Sequence, residues 1–193
     1  MEDDRIWKYD THAHTSESNK CGQSSAEDMI RAYFALGYDG VFVADHFFNG
    51  NTLVPKNLPW EDRVRLLMKG FRAAKRAGDF YGIGVFFAFE VSCQGNDFLI
   101  YGLGEDWLLA HPDSDRIPIK EFLTLARADG GFVVHAHPFR EDPHVPLIRL
   151  IPDVTDAVEV LNANRKPIQN ARAKWYAERY GLPVTAVSDA HQP

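Results

Sequence analysis

The chain predicts an α/β fold whose largely parallel sheet curves toward a barrel, and three features predict it. Short apolar runs alternate with helix-period stretches from one end of the sequence to the other. The runs are almost continuously apolar, which suits strands covered on both faces. Five of them also end in residues that ligate metals. Tyr9 to His14 closes on His12-Ala13-His14, Gly40 to Ala44 on Asp45-His46, and Val85 to Phe89 on Glu90. Gly131 to Val134 closes on His135-Ala136-His137, and Pro183 to Ser188 on Asp189-Ala190-His191. Functional groups gathered at the C-terminal ends of several strands fit a barrel-like closure. An open doubly wound sheet would concentrate them near one switch point instead.

The elements follow in order. The first strand ends at His14, and its period of two puts His12 and His14 on one face. A polar loop, residues 15–22, leads to Ser24-Ser25-Ala26-Glu27, a capping-box pattern with Ser24 as the cap. Ile30, Tyr33 and Phe34 continue at helical spacing, and Gly37 is placed to close the helix. After the strand ending at Asp45-His46, residues 47–58 read as a long loop over the site. Pro59-Trp60-Glu61-Asp62 opens a second helix with Val64, Leu67, Met68 and Phe71 on one face, ending near Gly78. A strand over 82–91 has its partner in 96–102. Residues 106–118, broken by acids and prolines, read as loop, and Ile119 to Ala128 is a helix closed by Gly130-Gly131. The strand at 131–136 precedes a Pro-rich loop with a short helix around residue 148. A strand follows at 156–161, then a helix over 167–180 with Ile168, Ala171 and Trp175 inward, and a last strand at 183–188. No repeat, low-complexity segment or linker is visible, so one domain over 1–193 is expected.

A chain of 193 residues, 45% of them hydrophobic, can bury one sizeable core. Its net charge of −6 argues against a general nucleic-acid surface and makes long duplex DNA the poorest candidate partner. The start, Met1 to Arg5, is acidic and shows no export segment, and Ile83 to Phe89 is too short to span a bilayer. Cys21 and Cys93 do not make a disulfide framework and read as reduced thiols of a cytoplasmic protein.

One histidine at a strand end is most often a structural residue. Here six of the eight histidines stand at strand ends together with Asp45, Glu90 and Asp189. Buried together without a counter-charge, such groups would cost several kcal/mol per unpaired ion. A polynuclear divalent-metal site offsets that cost, and mixed imidazole and carboxylate ligands suit zinc, manganese or iron better than magnesium or calcium. No Gly-x-Ser-x-Gly elbow, Walker loop, thiol-phosphatase loop, His-Glu-x-x-His helix or Cys-x-x-Cys pair occurs. His135 has the parity to reach the site, while His111 and His144 lie in loops. Cys93, three residues after Glu90, reads as a packing residue.

The ordered set His12-Ala13-His14, Asp45-His46, Glu90, Ala136-His137-Pro138 and Ser188-Asp189-Ala190-His191 resembles the PHP (polymerase and histidinol phosphatase) family of metal-dependent phosphoesterases over nearly the whole chain. The resemblance implies a distorted seven-stranded β/α barrel. It implies one metal on His12, His14, Glu90 and Asp189, with Glu90 bridging to a second ion served by His137, and His46 and His191 facing a third position. The chain departs from the pattern in two places. Family members often carry an acid or a histidine in the loop after the first motif, where this chain has Ser18-Asn19. Many also have a histidine shortly after the bridging glutamate, where Asp97 stands here. Asp97 can still ligate, whereas Asn19 is a poor ligand. Glu17 would need the loop to rearrange, so the third position is expected to bind weakly.

The expected reaction is hydrolysis of a phosphate ester, monoester or small diester, by a metal-activated hydroxide at a di- or trinuclear site. Glu90, Asp189, His191 and Arg140 are the candidate catalytic residues, with Lys20 and Arg165 as further cations near the rim. Arginine's planar fork suits phosphate. A phosphorylated small molecule or short nucleotide is the expected substrate, and no membrane partner is implied. Two alternatives are an amidohydrolase-like metal hydrolase and a metal-stabilised structural or regulatory domain with little turnover.

Overall fold

The computed structural model describes residues 5–193, so the reading of the acidic start, residues 1–4, lies outside the described residues. Seven strands form one sheet in sequence order: β1 (Tyr9–Ala13), β2 (Gly40–His46), β3 (Gly84–Cys93), β4 (Asn96–Tyr101), β5 (Phe132–Ala136), β6 (Ala157–Asn162) and β7 (Val184–Val187). Only β4 runs against its neighbours, and every other pairing is parallel. The β3–β4 connection is a tight hairpin in which Gln94 and Gly95 both take positive φ, 53° and 79°. The ring almost closes. A parallel bridge joins Ala13 to Ala190, and the His14 N–H donates to the Ala190 carbonyl at 2.9 Å. The fold is therefore the nearly closed seven-stranded α/β barrel that the sequence pointed to.

Alternation along the strands separates two environments. Inside the barrel Ala44, Ala88, Leu99, Val134, Ala136 and Ala157 pack together, small residues that a narrow barrel can hold. Outside, Phe89, Val91, Phe98, Ile100 and Val133 meet the helices α2 (Trp60–Tyr81), α3 (Glu105–Ala110) and α4 (Ile119–Ala128) in an aromatic-rich layer with Phe47, Phe48 and Phe122. The helix α1 (Ala26–Ala35) covers β1 and β2 through Met29, Ile30 and Tyr33, and α5 (Pro167–Tyr180) covers β6. Among the described residues no helix is long and apolar enough to cross a membrane.

Several element expectations need correction. The cap of α1 is Ser25, not Ser24: its Oγ accepts the Asp28 N–H at 3.2 Å and donates to the Asp28 carboxylate at 2.7 Å. The helix α2 runs past Gly78 to Tyr81 and stops at Gly82, which has φ 77°. Gly78 serves packing instead, because a Cβ there would overlap Val85 and the Ile83 carbonyl. Residues 105–110 form α3 where loop was expected, anchored by buried Leu108, and residues 114–116 add a 3-10 turn. No helix forms around residue 148. Asn96 holds that segment in irregular form, donating to the Leu147 carbonyl and accepting the Arg149 N–H, and the 3-10 turn comes at Pro152–Val154. The inward face of α5 is also shifted: Ile168, Ala171 and Trp175 are exposed, while Gln169, Ala173, Tyr176 and Ala177 are buried.

Candidate metal centre

The inner row of the barrel changes from alanine to ligand at the rim. His46 pairs in register with Glu90 across β2 and β3, and Asp97 lies opposite Ala136 at the start of β4. Because β4 runs backwards, its first residues share the rim with the last residues of β3. His14 and His137 directly follow β1 and β5, and Asp189 and His191 lie two and four residues beyond β7. His137 and Asp189 have φ of 29° and 54°, a conformation that costs a non-glycine residue of order 1–3 kcal/mol. The kink at His137 turns its ring inward. His12, His14, His46, Glu90, Asp97, His137 and Asp189 are all buried, and His191 is half-buried.

The expected ligands meet in three overlapping groups: His12, His14 and Glu90; Glu90, Asp97 and His137; and His14, His46 and His191. In each, the ligand atoms lie within 4.8 Å of one another. Asp189 joins the first, its Oδ1 lying 3.6 Å from His12 Nε2 and 3.4 Å from His14 Nε2. Glu90 stands between all of them, with His12, His14 and His137 Nε2 at 3.7, 3.5 and 3.4 Å. Two ligands held about 2.1 Å from one ion at the tetrahedral angle are about 3.4 Å apart. These spacings therefore fit ligands placed around a shared cation and are too long for good hydrogen bonds. Both Glu90 oxygens, His14 Nδ1, His46 Nδ1 and His137 Nδ1 are buried without a hydrogen-bond partner. His46 Nδ1 approaches Glu90 Oε2 to 2.7 Å without hydrogen-bond geometry, so the contact is electrostatic. Unpaired buried acceptors of this kind are what divalent ions would satisfy.

Electrostatics give the same picture. Burial alone lowers the His12 pKa, but Glu159 and Asp189 beside it outweigh burial and lift it well above 6.5. His46 and His137 are likewise pushed down by burial and lifted further by Glu90. His14 is the exception: burial, only partly opposed by Asp189, takes it to about 3. Burial opposes the charge on Glu90 and Asp189, yet His46 beside the first and His12 beside the second hold both well below the usual carboxylate range. Asp97 is raised by burial and by repulsion from Glu90. The carboxylates thus hold protons on the neighbouring imidazoles, and a bound metal would take the place of those protons.

Two acids, Glu159 and Asp10, and the amide of Asn162, none of them singled out in the sequence, orient these ligands. Glu159 Oε1 accepts the His12 Nδ1–H at 2.7 Å, which leaves Nε2 facing the cluster. Glu159 Oε2 accepts the His137 backbone N–H at 2.9 Å and the Asn162 side-chain N–H at 3.2 Å. Asn162 also donates to Asp189 Oδ2 at 3.1 Å. Asp10 accepts the His12 N–H and the Tyr33 hydroxyl, and Asp45, fully buried, ties the loop after β1 to β2. The sequence held one clue, a lone charge in the middle of the apolar run Ala157-Val158-Glu159-Val160-Leu161.

Other candidates fall away from the cluster. Asp45, one residue from His46 on β2, points to the opposite face. It accepts from the Thr15 N–H and hydroxyl at 2.8 Å each and from the Asn19 amide, and burial raises its pKa to about 6. A Cβ at Gly70 would overlap this Asp45–Thr15 pair, so α2 can approach only through glycine. Asn19 also accepts the His46 N–H, and Glu17 caps α1 through the Ala26 N–H, so neither faces the metal groups. His135 faces outward, stacked on Phe98 at 4.4 Å and edge-on to Tyr176, and burial lowers it to about 3. His111 packs on Trp107 at 4.3 Å, and His144 is exposed.

The cluster opens into a cavity of about 270 Å³ lined also by Cys21, the loop Asn49–Asn51, Ser92, Arg140 and Arg165. Arg140 gives one N–H to Asp97 Oδ2 at 3.0 Å and Arg165 one to Asp189 Oδ2 at 3.1 Å. The Nε of each guanidinium is buried and unpaired.

A family profile described as PHP-associated matches residues 167–193. None of the proteins of curated function matches the chain. Among solved structures, a two-domain protein from Bacteroides vulgatus, containing a PHP-like metal-dependent phosphoesterase assigned by prediction, superposes with a TM-score of 0.70 at 17% identity. That match covers 97% of this chain and 52% of the other, so the chain spans about half of that protein's length. An assigned metal-dependent phosphoesterase from Bifidobacterium adolescentis gives a TM-score of 0.60 at 18% identity, covering 97% and 88%. An amidohydrolase from Chromobacterium violaceum, solved with bound sulfate and no metal, gives 0.62 at 17%, covering 96% and 88%. At these identities the likeness to the solved structures is one of fold.

Proposed function

We propose that this chain is a PHP-family member and a metal-dependent hydrolase of phosphate esters, a reading supported by the family profile over its last helix and strand and by its fold. The observation that carries the phosphate reading is the pair Arg140 and Arg165. Each guanidinium lines the cavity with one arm fixed on a rim carboxylate and an Nε donor without a partner. Two planar cations beside a carboxylate-rich cluster have no use for a neutral amide, whereas the non-bridging oxygens of a phosphoryl group accept from both.

His12, His14, Glu90 and Asp189 would hold one ion, Glu90, Asp97 and His137 a second, and His46 and His191 a third. When bound, divalent ions supply Lewis acidity, acidifying water and neutralising phosphoryl oxygens. The chain's own residues do the rest. Glu159 fixes the His12 tautomer, Asn162 orients Asp189, and the positive φ of His137 and Asp189 aims both into the cavity. Arg140 and Arg165 would orient the phosphoryl group, with the Asn49–Asn51 loop lining the cavity beside them.

A second reading, amide or lactone hydrolysis, has support in the name of the Chromobacterium neighbour, although the sulfate in that structure is itself a tetrahedral oxyanion. A panel of phosphorylated metabolites, run beside amides and lactones with added manganese or zinc, separates the two. Phosphate release from at least one ester with no amide or lactone turnover is the expected result. Turnover confined to amides or lactones would replace the proposal.

A further inference from the structure

We propose that Cys21 is a thiolate ligand of the third metal position, completing it with His46 and His191 and making that position selective for zinc over manganese or magnesium. The proposal rests on the reading of the cluster as a metal centre.

The loop after β1 has to supply this group, and its more obvious donors are occupied. Asn19 is fully used by Asp45, the Thr15 carbonyl and the His46 N–H, and Glu17 is used by the start of α1. Cys21 is what the loop presents to the cavity. Cys21 lines the same cavity as His14, His46 and His191, the three residues of the third group. Its backbone is pinned on either side: the Lys20 N–H donates to the Asn51 carbonyl at 3.0 Å and the Gln23 N–H to the His191 carbonyl at 2.8 Å. Gly22 lets the loop pass so close to Thr15 that a Cβ there would overlap the Thr15 carbonyl. The thiol is thus held at the mouth of the site.

A second observation, independent of the cysteine, points to an ion here. The ring nitrogens of His14, His46 and His191 converge within 4.8 Å, and the His14 and His46 rings stack at 4.7 Å. His46 is only 8% exposed and its Nδ1 has no hydrogen-bond partner. Imidazoles so crowded repel one another when protonated, and a cation between them removes that repulsion. The first two groups offer nitrogen and oxygen donors. The third would offer nitrogen and sulfur, and thiolate favours zinc over the hard cations.

The test loads the metal-free chain with cobalt(II) as a spectroscopic stand-in for zinc. A sulfur-to-cobalt charge-transfer band in the near ultraviolet is expected in the unmodified chain and in Cys93→Ser, and is expected to vanish in Cys21→Ser. After zinc loading and dialysis, Cys21→Ser should retain one ion fewer per chain. The Cys93→Ser chain adds a readout that leaves Cys21 in place: zinc, but not magnesium, should slow alkylation of Cys21 by about tenfold or more. Cobalt bound with no charge-transfer band, or alkylation indifferent to zinc, overturns the proposal and leaves the metal centre standing. A chain that takes up neither metal overturns the centre, and the proposal falls with it.

Discussion

Replacing Glu159 with glutamine tests whether the residues behind the ligands set metal affinity. The carboxylate takes three donors: His12 Nδ1–H at 2.7 Å, the His137 N–H at 2.9 Å and the Asn162 amide at 3.2 Å. Glutamine offers one oxygen and one NH2, so in either orientation its NH2 faces at least one of them. A buried donor left unpaired costs about 1–3 kcal/mol of folding stability. Removing the charge behind His12 also weakens the imidazole as a ligand, and such changes cost about 10–100-fold in metal affinity, or about 1.4–2.8 kcal/mol. Zinc competition against a chromophoric chelator measures the affinity, and urea unfolding of the metal-free chain measures the stability. Glu159→Gln should lose both. A variant that unfolds earlier in urea but binds zinc as tightly as the unmodified chain would reduce Glu159 to a structural residue. It would also refute the assignment of His12 as a ligand that Glu159 orients.

Gly70→Ala should destabilise the chain by about 1–3 kcal/mol despite alanine's helix preference of about 1 kcal/mol, because its Cβ meets the Asp45–Thr15 pair; an unchanged urea midpoint would contradict this. The raised imidazoles give a pH dependence. Since the folded pKa values of His12, His46 and His137 lie above the usual 6.5, their contribution to metal-free stability is complete below 6.5 and is lost as pH rises through the raised values. At pH 7 metal must displace those protons, so binding should release protons and tighten with pH, as calorimetry in two buffers of different ionisation enthalpy would show. Binding without proton release would count against these ligands. Arg140→Ala should lower kcat/KM for a phosphate ester by a factor equivalent to about 1.5–3 kcal/mol. A change under about threefold would leave the guanidinium as the partner of Asp97 alone.

The barrel and its rim were legible because two signals agree. Near-continuous apolar runs alternate with helix-period stretches, and five of those runs end in candidate ligands, so the rim could be placed before any contact was known. What escaped depends on contacts between elements distant in sequence. The phase of α5 follows from Tyr176, buried edge-on against His135, which pulls Ala173 and Ala177 inward and leaves Trp175 in solvent. Parity could have removed Asp45, since neighbours on a strand face opposite ways. It could not have placed His137, whose positive φ breaks the alternation and leaves His135 in the outer layer. Glu159 showed itself only as a charge where an apolar residue was due. Cys21 gave no signal at all, because its position follows from a loop path fixed by Asn51 and His191.

Whether this rim cluster binds divalent ions and uses them on phosphate esters can be read from one titration. Metal-free chain receives zinc or manganese in increments while phosphate release from an active ester is followed, with Glu90→Gln alongside. Glu90 belongs to two of the three ligand groups, so removing its charge should disrupt both. No release is expected without metal, and release should rise to saturation at two or more ions per chain. Glu90→Gln should release little phosphate and hold less metal. Equal turnover with and without metal, or full activity in folded Glu90→Gln, would contradict metal-dependent hydrolysis at this cluster.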